Sequence, residues 1–95
     1  MFLHITNAKY LDGYKLEVAF NDGRTGTADL KEALHGAMFE PLKDLNVFSQ
    51  AKVDDTLGTI CWQNGADIAP EYVYYQAFKH ETELQDQFKK WGYLS

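Results

Sequence analysis

Three turn signals constrain the fold of this chain more than any other feature of its sequence. An aspartate or asparagine followed by glycine is favoured in tight turns between strands, because both residue types tolerate backbone conformations that others avoid. The three dipeptides are Asp12-Gly13, Asp22-Gly23 and Asn64-Gly65. They predict that the chain folds around antiparallel strand pairs.

Residues 14–20 form the clearest predicted strand, because their large apolar side chains alternate with smaller or charged ones. The apolar members would share one face: Tyr14, Leu16, Val18 and Phe20. Residues 5–11 form the strand before it, and we expect the loop between the two to be longer than two residues. That loop length places Ala8 and Tyr10 on the face toward the core. Residues 24–28 carry no large apolar side chain and are predicted to form an edge strand.

A later hairpin is predicted around Asn64-Gly65, which is typical of a two-residue type I′ turn. This register places Trp62 opposite Asp67, so that the indole N–H can donate to the carboxylate. Cys61 then faces Ile68. Because both faces of the hairpin would carry apolar groups, it is either covered on both sides or used as an interface.

Local signals also mark where helices begin and end. Asp29 can accept hydrogen bonds from the first N–H groups of a helix, and Glu32 completes a pattern similar to a capping box. Gly36 is expected to end this short helix. Pro41 and Pro70 suit the first turn of two further helices, because proline lacks the N–H that a first turn leaves unpaired.

Residues 82–91 are predicted to form an amphipathic C-terminal helix that opens with a capping box at Thr82. Leu84, Phe88 and Trp91 recur at helical spacing and form one apolar stripe. A helix this short is marginal on its own, so the stripe must be buried against something. We expect the break before the helix to direct it away from its own domain and toward a second copy. The sequence therefore predicts a homodimer.

The chain has 95 residues, which suits one domain and leaves no room for two. We predict a single α+β domain over residues 1–95. Its small antiparallel sheet combines the N-terminal meander with the later hairpin, and its helices pack on one side. A single cysteine excludes an intramolecular disulfide. Because neither a signal peptide nor a membrane span is recognisable, we expect a cytoplasmic protein with no membrane partner.

The charge of the chain favours some partners over others. It has 9 Lys and Arg against 14 Asp and Glu, for a net charge of −5. Contacts to phosphates need clustered basic side chains, and here they are scattered, so direct nucleic-acid binding is not expected. An acidic surface suits either a small basic protein partner or simple solubility.

No residue pattern indicates catalysis or metal binding. His4, His35 and His80 lie too far apart in sequence to form a typical metal-binding pair. Cys61 is placed in a strand with no neighbouring base, where a thiol is usually a small buried hydrophobe. We therefore predict no catalytic residue, no metal and no cofactor, and a protein that is not an enzyme.

Aromatic side chains are concentrated in the last quarter of the chain. Seven of the 22 residues from Tyr72 to Tyr93 are aromatic, which is more than one small core can hide. Tyrosine and tryptophan are favoured at protein interfaces, where an apolar ring and a polar tip are both useful. The candidate interaction residues are Tyr72, Tyr75, Leu84, Phe88 and Trp91.

Several short segments together resemble one known family. These are Leu16–Phe20, Asp22-Gly23, Asp29-Leu30, Phe39 with Leu42, and above all Trp62–Pro70. Over about residues 5–78 the chain resembles the bacterial "domain of unknown function 2442" family. The resemblance implies a small cytoplasmic α+β protein, often encoded beside another small protein and in some members followed by a C-terminal helix-turn-helix. Residues 79–95 leave room for one helix only, so a DNA-reading domain is not expected here.

The resemblance implies an antitoxin-like or regulatory role through a partner, and it supplies no catalytic residues. The leading hypothesis is therefore a non-enzymatic protein-interaction module, the acidic partner of a small basic protein. The alternative is a small-molecule-binding or enzymatic domain with a pocket near Trp62 and Asp67. A third hypothesis is a DNA-associated regulator that acts through its partner.

Overall fold

A computed structural model describes residues 2–94 of the chain, which form two three-stranded antiparallel sheets and three α-helices. The strands are β1 Ile5–Tyr10, β2 Lys15–Phe20, β3 Thr25–Asp29, β4 Lys52–Asp54, β5 Thr59–Cys61 and β6 Asp67–Ile68. The α-helices are α1 Leu45–Phe48, α2 Pro70–Phe78 and α3 Gln85–Lys90. Short 3-10 helices occupy Lys31–Ala33, Glu40–Lys43 and Thr82–Leu84. The predicted α+β class is confirmed.

The first sheet has the strand order β1-β2-β3, as the meander predicted. Tyr10 pairs with Leu16 and Ala8 pairs with Val18, so the longer loop at Asp12-Gly13 is confirmed. Strand β3 lies at the edge of this sheet, also as predicted. The alternation in β2 buries Leu16, Val18 and Phe20 on one face, where they form the centre of the hydrophobic core.

The later strands form a second sheet of their own, with the order β4-β5-β6. The expectation of one sheet shared by the meander and the later hairpin was therefore wrong. Strand β5 of the hairpin pairs with β4, so the hairpin has a neighbouring strand that does not come from the meander. The two sheets meet where the N–H of Ile5 donates to the carbonyl of Gly58, at 2.9 Å.

The turn at Asn64-Gly65 is not the predicted type I′ turn. Residues 63–65 form a three-residue loop, which needs the left-handed conformation at one position. Within this loop Gly65 alone has a positive φ, of 93°. The N–H of Trp62 donates to the carbonyl of Ala66 at 2.9 Å and closes this loop. The extra residue shifts the register by one, so Cys61 pairs with Asp67. The predicted pairs of Trp62 with Asp67 and of Cys61 with Ile68 were wrong.

Two of the predicted helix caps do not form. Asp29 is the last residue of β3, and its carboxylate accepts the N–H of Lys31 at 3.1 Å in a tight turn rather than capping an α-helix. Thr82 makes no capping bond, because Glu81 holds the position before that 3-10 helix. Asp44 is a genuine cap, since it accepts the N–H of Asn46 at 2.9 Å at the start of α1. Pro70 does begin α2, as predicted.

The C-terminal segment, residues 82–91, forms a 3-10 turn followed by α3 rather than one continuous helix. It folds back onto its own chain, in contrast to the expected outward orientation. Phe88 is fully buried, with its ring 5.1 Å from the ring of Tyr75 and 6.4 Å from that of Tyr74. The aromatic stripe therefore completes the core of the same molecule.

Helix α2 joins the C-terminal segment to the first sheet. Gly26 of β3 permits this close approach, because a Cβ atom there would lie 2.6 Å from the ring of Phe78. Tyr74 packs edge-to-face against Phe20 of β2, with ring centroids 4.9 Å apart. Within residues 2–94, no helix has the length and apolar composition needed to cross a lipid bilayer.

Candidate functional site

A cleft of about 400 Å³ lies between the turn that follows β2 and the C-terminal segment. We call it the C-terminal cleft. Three of its lining side chains are carboxylates, namely Asp22, Glu83 and Asp86. Its apolar lining is provided by Leu3, Leu84 and Trp91, and its one basic side chain is Lys90. The cleft is thus an apolar depression whose charged lining side chains are three carboxylates and one lysine.

A hydrogen-bonded network beside the cleft connects three parts of the fold. The hydroxyl of Tyr74 in α2 donates to Asp22 Oδ2 at 2.7 Å, in the turn before β3. Arg24, in the same turn, donates to Glu83 at 2.8 Å and lies 3.9 Å from Asp22. Its guanidinium also stands 6.0 Å from the centre of the Phe78 ring. The network therefore ties the meander to α2 and to the C-terminal segment.

The tyrosine of this network is held in its neutral form. Burial, together with the hydrogen bond to Asp22, raises the pKa of Tyr74 to about 12. The bond to Glu83 raises the pKa of Arg24 above its usual value. At neutral pH the network thus contains a neutral hydroxyl donor and a permanent cation. Tyr74 is a positioning group in this arrangement and is not suited to act as a base.

The five predicted interaction residues are brought to one region but have different surroundings. Leu84 and Trp91 line the C-terminal cleft. Phe88 lies beneath them in the core. Tyr72 and Tyr75 are half-buried and pack on Tyr93, at ring distances of 5.9 and 4.9 Å respectively.

Tyr93 connects these two groups, because its ring lies 6.4 Å from that of Trp91. The result is a half-buried aromatic row that leads from Tyr72 to the edge of the cleft. Burial raises the pKa values of Tyr72 and Tyr93, so both hydroxyls remain neutral donors at physiological pH.

The residues of the alternative hypothesis do not form a site together. Trp62 is 4% exposed and its indole N–H donates to the carbonyl of Phe48 at 3.0 Å, not to Asp67. Asp67 is exposed on the second sheet. A cavity of about 250 Å³ touches Trp62, Cys61 and Lys52, and Asp67 does not line it. Burial raises the pKa of the Cys61 thiol, which opposes the thiolate that a nucleophile needs.

Sequence reasoning assigned Asp22 only to a turn and gave Arg24 no role. Tyr74 and Asp22 are 52 residues apart, and no local pattern marks that pairing. No sequence pattern singled out Glu83 or Asp86, beside the C-terminal stripe, as part of a site. Within the described residues, no group of three or more His, Cys, Asp or Glu side chains is placed to hold a metal ion.

The fold and the cleft define a small α+β protein. The chain belongs to the family described as "Protein of unknown function (DUF2442)", whose model matches residues 5–79. This match confirms the resemblance seen in the sequence. No curated protein matches the chain.

A crystal structure from Nitrosomonas europaea, described as a "Putative DNA Binding Protein", is similar to this chain with a TM-score of 0.74 and 19% sequence identity. The similarity covers 99% of this chain and 63% of that one. At this level of identity the similarity shows a shared fold, and about a third of the other protein lies outside it.

Proposed function

We propose that this chain is a non-enzymatic protein-interaction module that binds a basic segment of a partner protein in the C-terminal cleft. The observation that carries the proposal is the combination, in one cleft, of the apolar side chains of Leu84 and Trp91 with three carboxylates, of which Asp22 and Glu83 also contact Arg24. Lysine and arginine bury their methylene stems on apolar surface while their charged ends bind carboxylates. Such side chains therefore match both parts of the lining.

The partner that fits this cleft is a small basic protein, for which this chain acts as the acidic, antitoxin-like or regulatory counterpart. The overall charge of −5 supports the same pairing, because opposite net charges accelerate association. The network from Tyr74 through Asp22 to Arg24 supports it too, because it fixes one wall of the cleft before a partner arrives. A wall that is already ordered lowers the entropic cost of binding.

The Nitrosomonas europaea protein raises DNA as a second partner class. We propose that this chain does not bind DNA directly, because its net charge is −5 and the carboxylates of the cleft would repel a phosphate backbone. A role in gene regulation would then act through the bound partner protein. Fluorescence anisotropy with a short labelled duplex at physiological salt should show no saturable binding by this chain alone.

Calorimetric titration with a peptide of alternating arginine and glycine tests the proposed site. We expect saturable binding that is lost when glutamate replaces arginine in the peptide. Asp86→Asn removes one carboxylate from the cleft and should weaken binding about three- to five-fold, as expected for an exposed ion pair. Asp67→Asn changes the net charge equally at an exposed position of the second sheet, outside the cleft. Equal weakening by both variants would show that only net charge matters and would contradict the proposal.

A further inference from the structure

A second cavity of similar size is lined by more basic than acidic side chains. Its volume is about 410 Å³, and it lies where β2 begins, between two of the 3-10 helices. Lys31, Lys43 and His35 surround it, and Glu32 is the only carboxylate in its lining. These basic groups come from two separate segments of a chain whose net charge is −5. We call it the basic cavity.

The backbone around the basic cavity is held in place by the core. The hydroxyl of Tyr14 donates to the carbonyl of Lys43, and the carbonyl of Tyr14 accepts the N–H of Leu30 at 2.9 Å. One tyrosine thus joins the start of β2 to the backbone of both lysine-bearing segments. Leu34 and Leu42 anchor these segments further, because each is buried in the core.

The charged groups of the basic cavity are available to a ligand. Within residues 2–94, no ion pair involves Lys31. Lys43 is paired with Glu40 at 3.2 Å, and both side chains are more than half exposed. Exposed pairs of this kind contribute little and exchange readily for another anion. His35 is exposed as well, so its ring can donate a hydrogen bond to a bound anion.

We propose that the basic cavity binds a small organic dianion, either a phosphate monoester or a dicarboxylate. The Lys31 ammonium group, and the Lys43 ammonium group once it exchanges Glu40 for the ligand, match the two negative charges, and the His35 ring supplies a further donor. Leu34 and the ring of Tyr14 provide apolar surface for the carbon part of the ligand. The volume falls in the range of about 300–1,000 Å³ that is usual for small-molecule sites. This proposal does not depend on protein binding at the C-terminal cleft.

Nuclear magnetic resonance titrations with phenyl phosphate and with succinate test this site. We expect at least one of the two to shift the ring resonances of His35 saturably, while phenol and succinamide leave them unchanged. The compound that binds more tightly identifies the ligand class. If neither dianion shifts His35, or if the uncharged compounds bind equally well, the proposal is wrong.

Charge variants then locate the binding. Lys31→Gln and Lys43→Gln should each weaken the dianion about three- to five-fold. Lys52→Gln is the matched control, because Lys52 is an exposed lysine of β4 and lines a different cavity. Equal weakening by the control would show a general charge effect and would overturn the proposal. The thermal unfolding of each variant should match that of the unchanged chain, since none of these ammonium groups is buried.

Discussion

At the scale of single residues, Tyr74 is the side chain whose environment is most easily tested. Its pKa of about 12 exceeds the ordinary tyrosine value of 10, so the folded chain favours the neutral hydroxyl. The resulting stabilisation is complete below pH 10, where the unfolded chain is also neutral, and is lost as the pH rises from 10 to about 12. One pKa unit corresponds to about 1.4 kcal/mol, so the full loss is roughly 2–3 kcal/mol.

Chemical denaturation of the unchanged chain and of Tyr74→Phe over this pH range measures the effect. The free energy of unfolding of the unchanged chain should fall more steeply with pH than that of the variant. Asp22→Asn should lower the pKa of Tyr74 only in part, because burial is the larger cause of the shift. Identical pH dependence in the unchanged chain and in Tyr74→Phe would show that this hydroxyl is not buried as described.

Gly65 is a second residue whose role can be measured. Its φ of 93° is strained for any side chain, and a Cβ atom there would lie 3.1 Å from the end of the Met38 side chain. Gly65→Val should therefore lower the free energy of unfolding by roughly 1–3 kcal/mol in denaturant titrations. Gln63→Val, in the same turn but exposed and without a positive φ, should change it by less than about 0.5 kcal/mol.

The contrast between Gly65 and Trp62 shows what the sequence could and could not predict at this scale. The need for glycine in the turn follows from backbone conformation, which is a local property. The partner of the Trp62 indole depends on tertiary packing, and Phe48 lies 14 residues earlier in the chain. One additional loop residue was enough to move Asp67 to another position in the register.

Trp62 itself is predicted to be structural. It is buried, and Trp62→Ala should lower the free energy of unfolding by roughly 3–5 kcal/mol, since it removes a large core side chain and leaves the Phe48 carbonyl without its donor. Trp91→Ala is the comparison, because that tryptophan is only partly buried at the cleft. Denaturant titration should show a clearly smaller loss for Trp91→Ala. An equal loss in both variants would contradict the difference in burial.

At the scale of elements, strands were predicted better than helices. The alternation in β2 is strong and local, and it gave both the core face and the register of the meander. The helices are short, and their caps depend on which acidic residue is free after strand pairing. Asp29 belongs to β3 and caps no α-helix, whereas Asp44 lies outside the strands and caps α1. The turns do not predict the division into two sheets. A turn determines which two strands form a hairpin, but it does not determine which further strand pairs with that hairpin.

The apolar stripe of the C-terminal segment was predicted, but the side on which the segment packs was not. Its stripe is buried against Tyr74 and Tyr75 of the same chain, through Phe88.

Phe88→Ala should lower the free energy of unfolding by roughly 3–5 kcal/mol, as a large core truncation does. Lys89→Ala at the exposed neighbouring position should change it by less than about 0.5 kcal/mol. Deleting residues 81–95 should give an insoluble chain, because it uncovers the aromatic face of α2.

At the scale of the whole molecule, the homodimer stays a prediction, although its basis changes. With Phe88 buried, the candidate surface for a two-fold contact becomes the half-buried aromatic row of Tyr72, Tyr75 and Tyr93. A symmetric contact would place the same row on both copies. Sedimentation equilibrium should show a dimer, and Tyr75→Glu should give a monomer. A single-chain mass for the unchanged protein would rule the dimer out.

The whole molecule also carries two cavities of opposite charge, and this division underlies both proposals. The C-terminal cleft is lined by three carboxylates and one lysine, and the basic cavity by two lysines, a histidine and one carboxylate. The sequence indicated that the chain is acidic and that the C-terminal aromatic residues contribute to the candidate interaction surface. It could not indicate the two cavities, because each is assembled from segments far apart in the chain.

The most direct test of protein binding at the C-terminal cleft is a nuclear magnetic resonance titration of the labelled chain with the alternating arginine and glycine peptide. We predict saturable shifts of the Trp91 indole N–H and of the backbone amides of residues 83–91. The amides of the second sheet, with Asp67 as the marker, should not move. Shifts centred on the second sheet, or no shift at any peptide concentration, would contradict the assignment of the cleft as a protein-binding site.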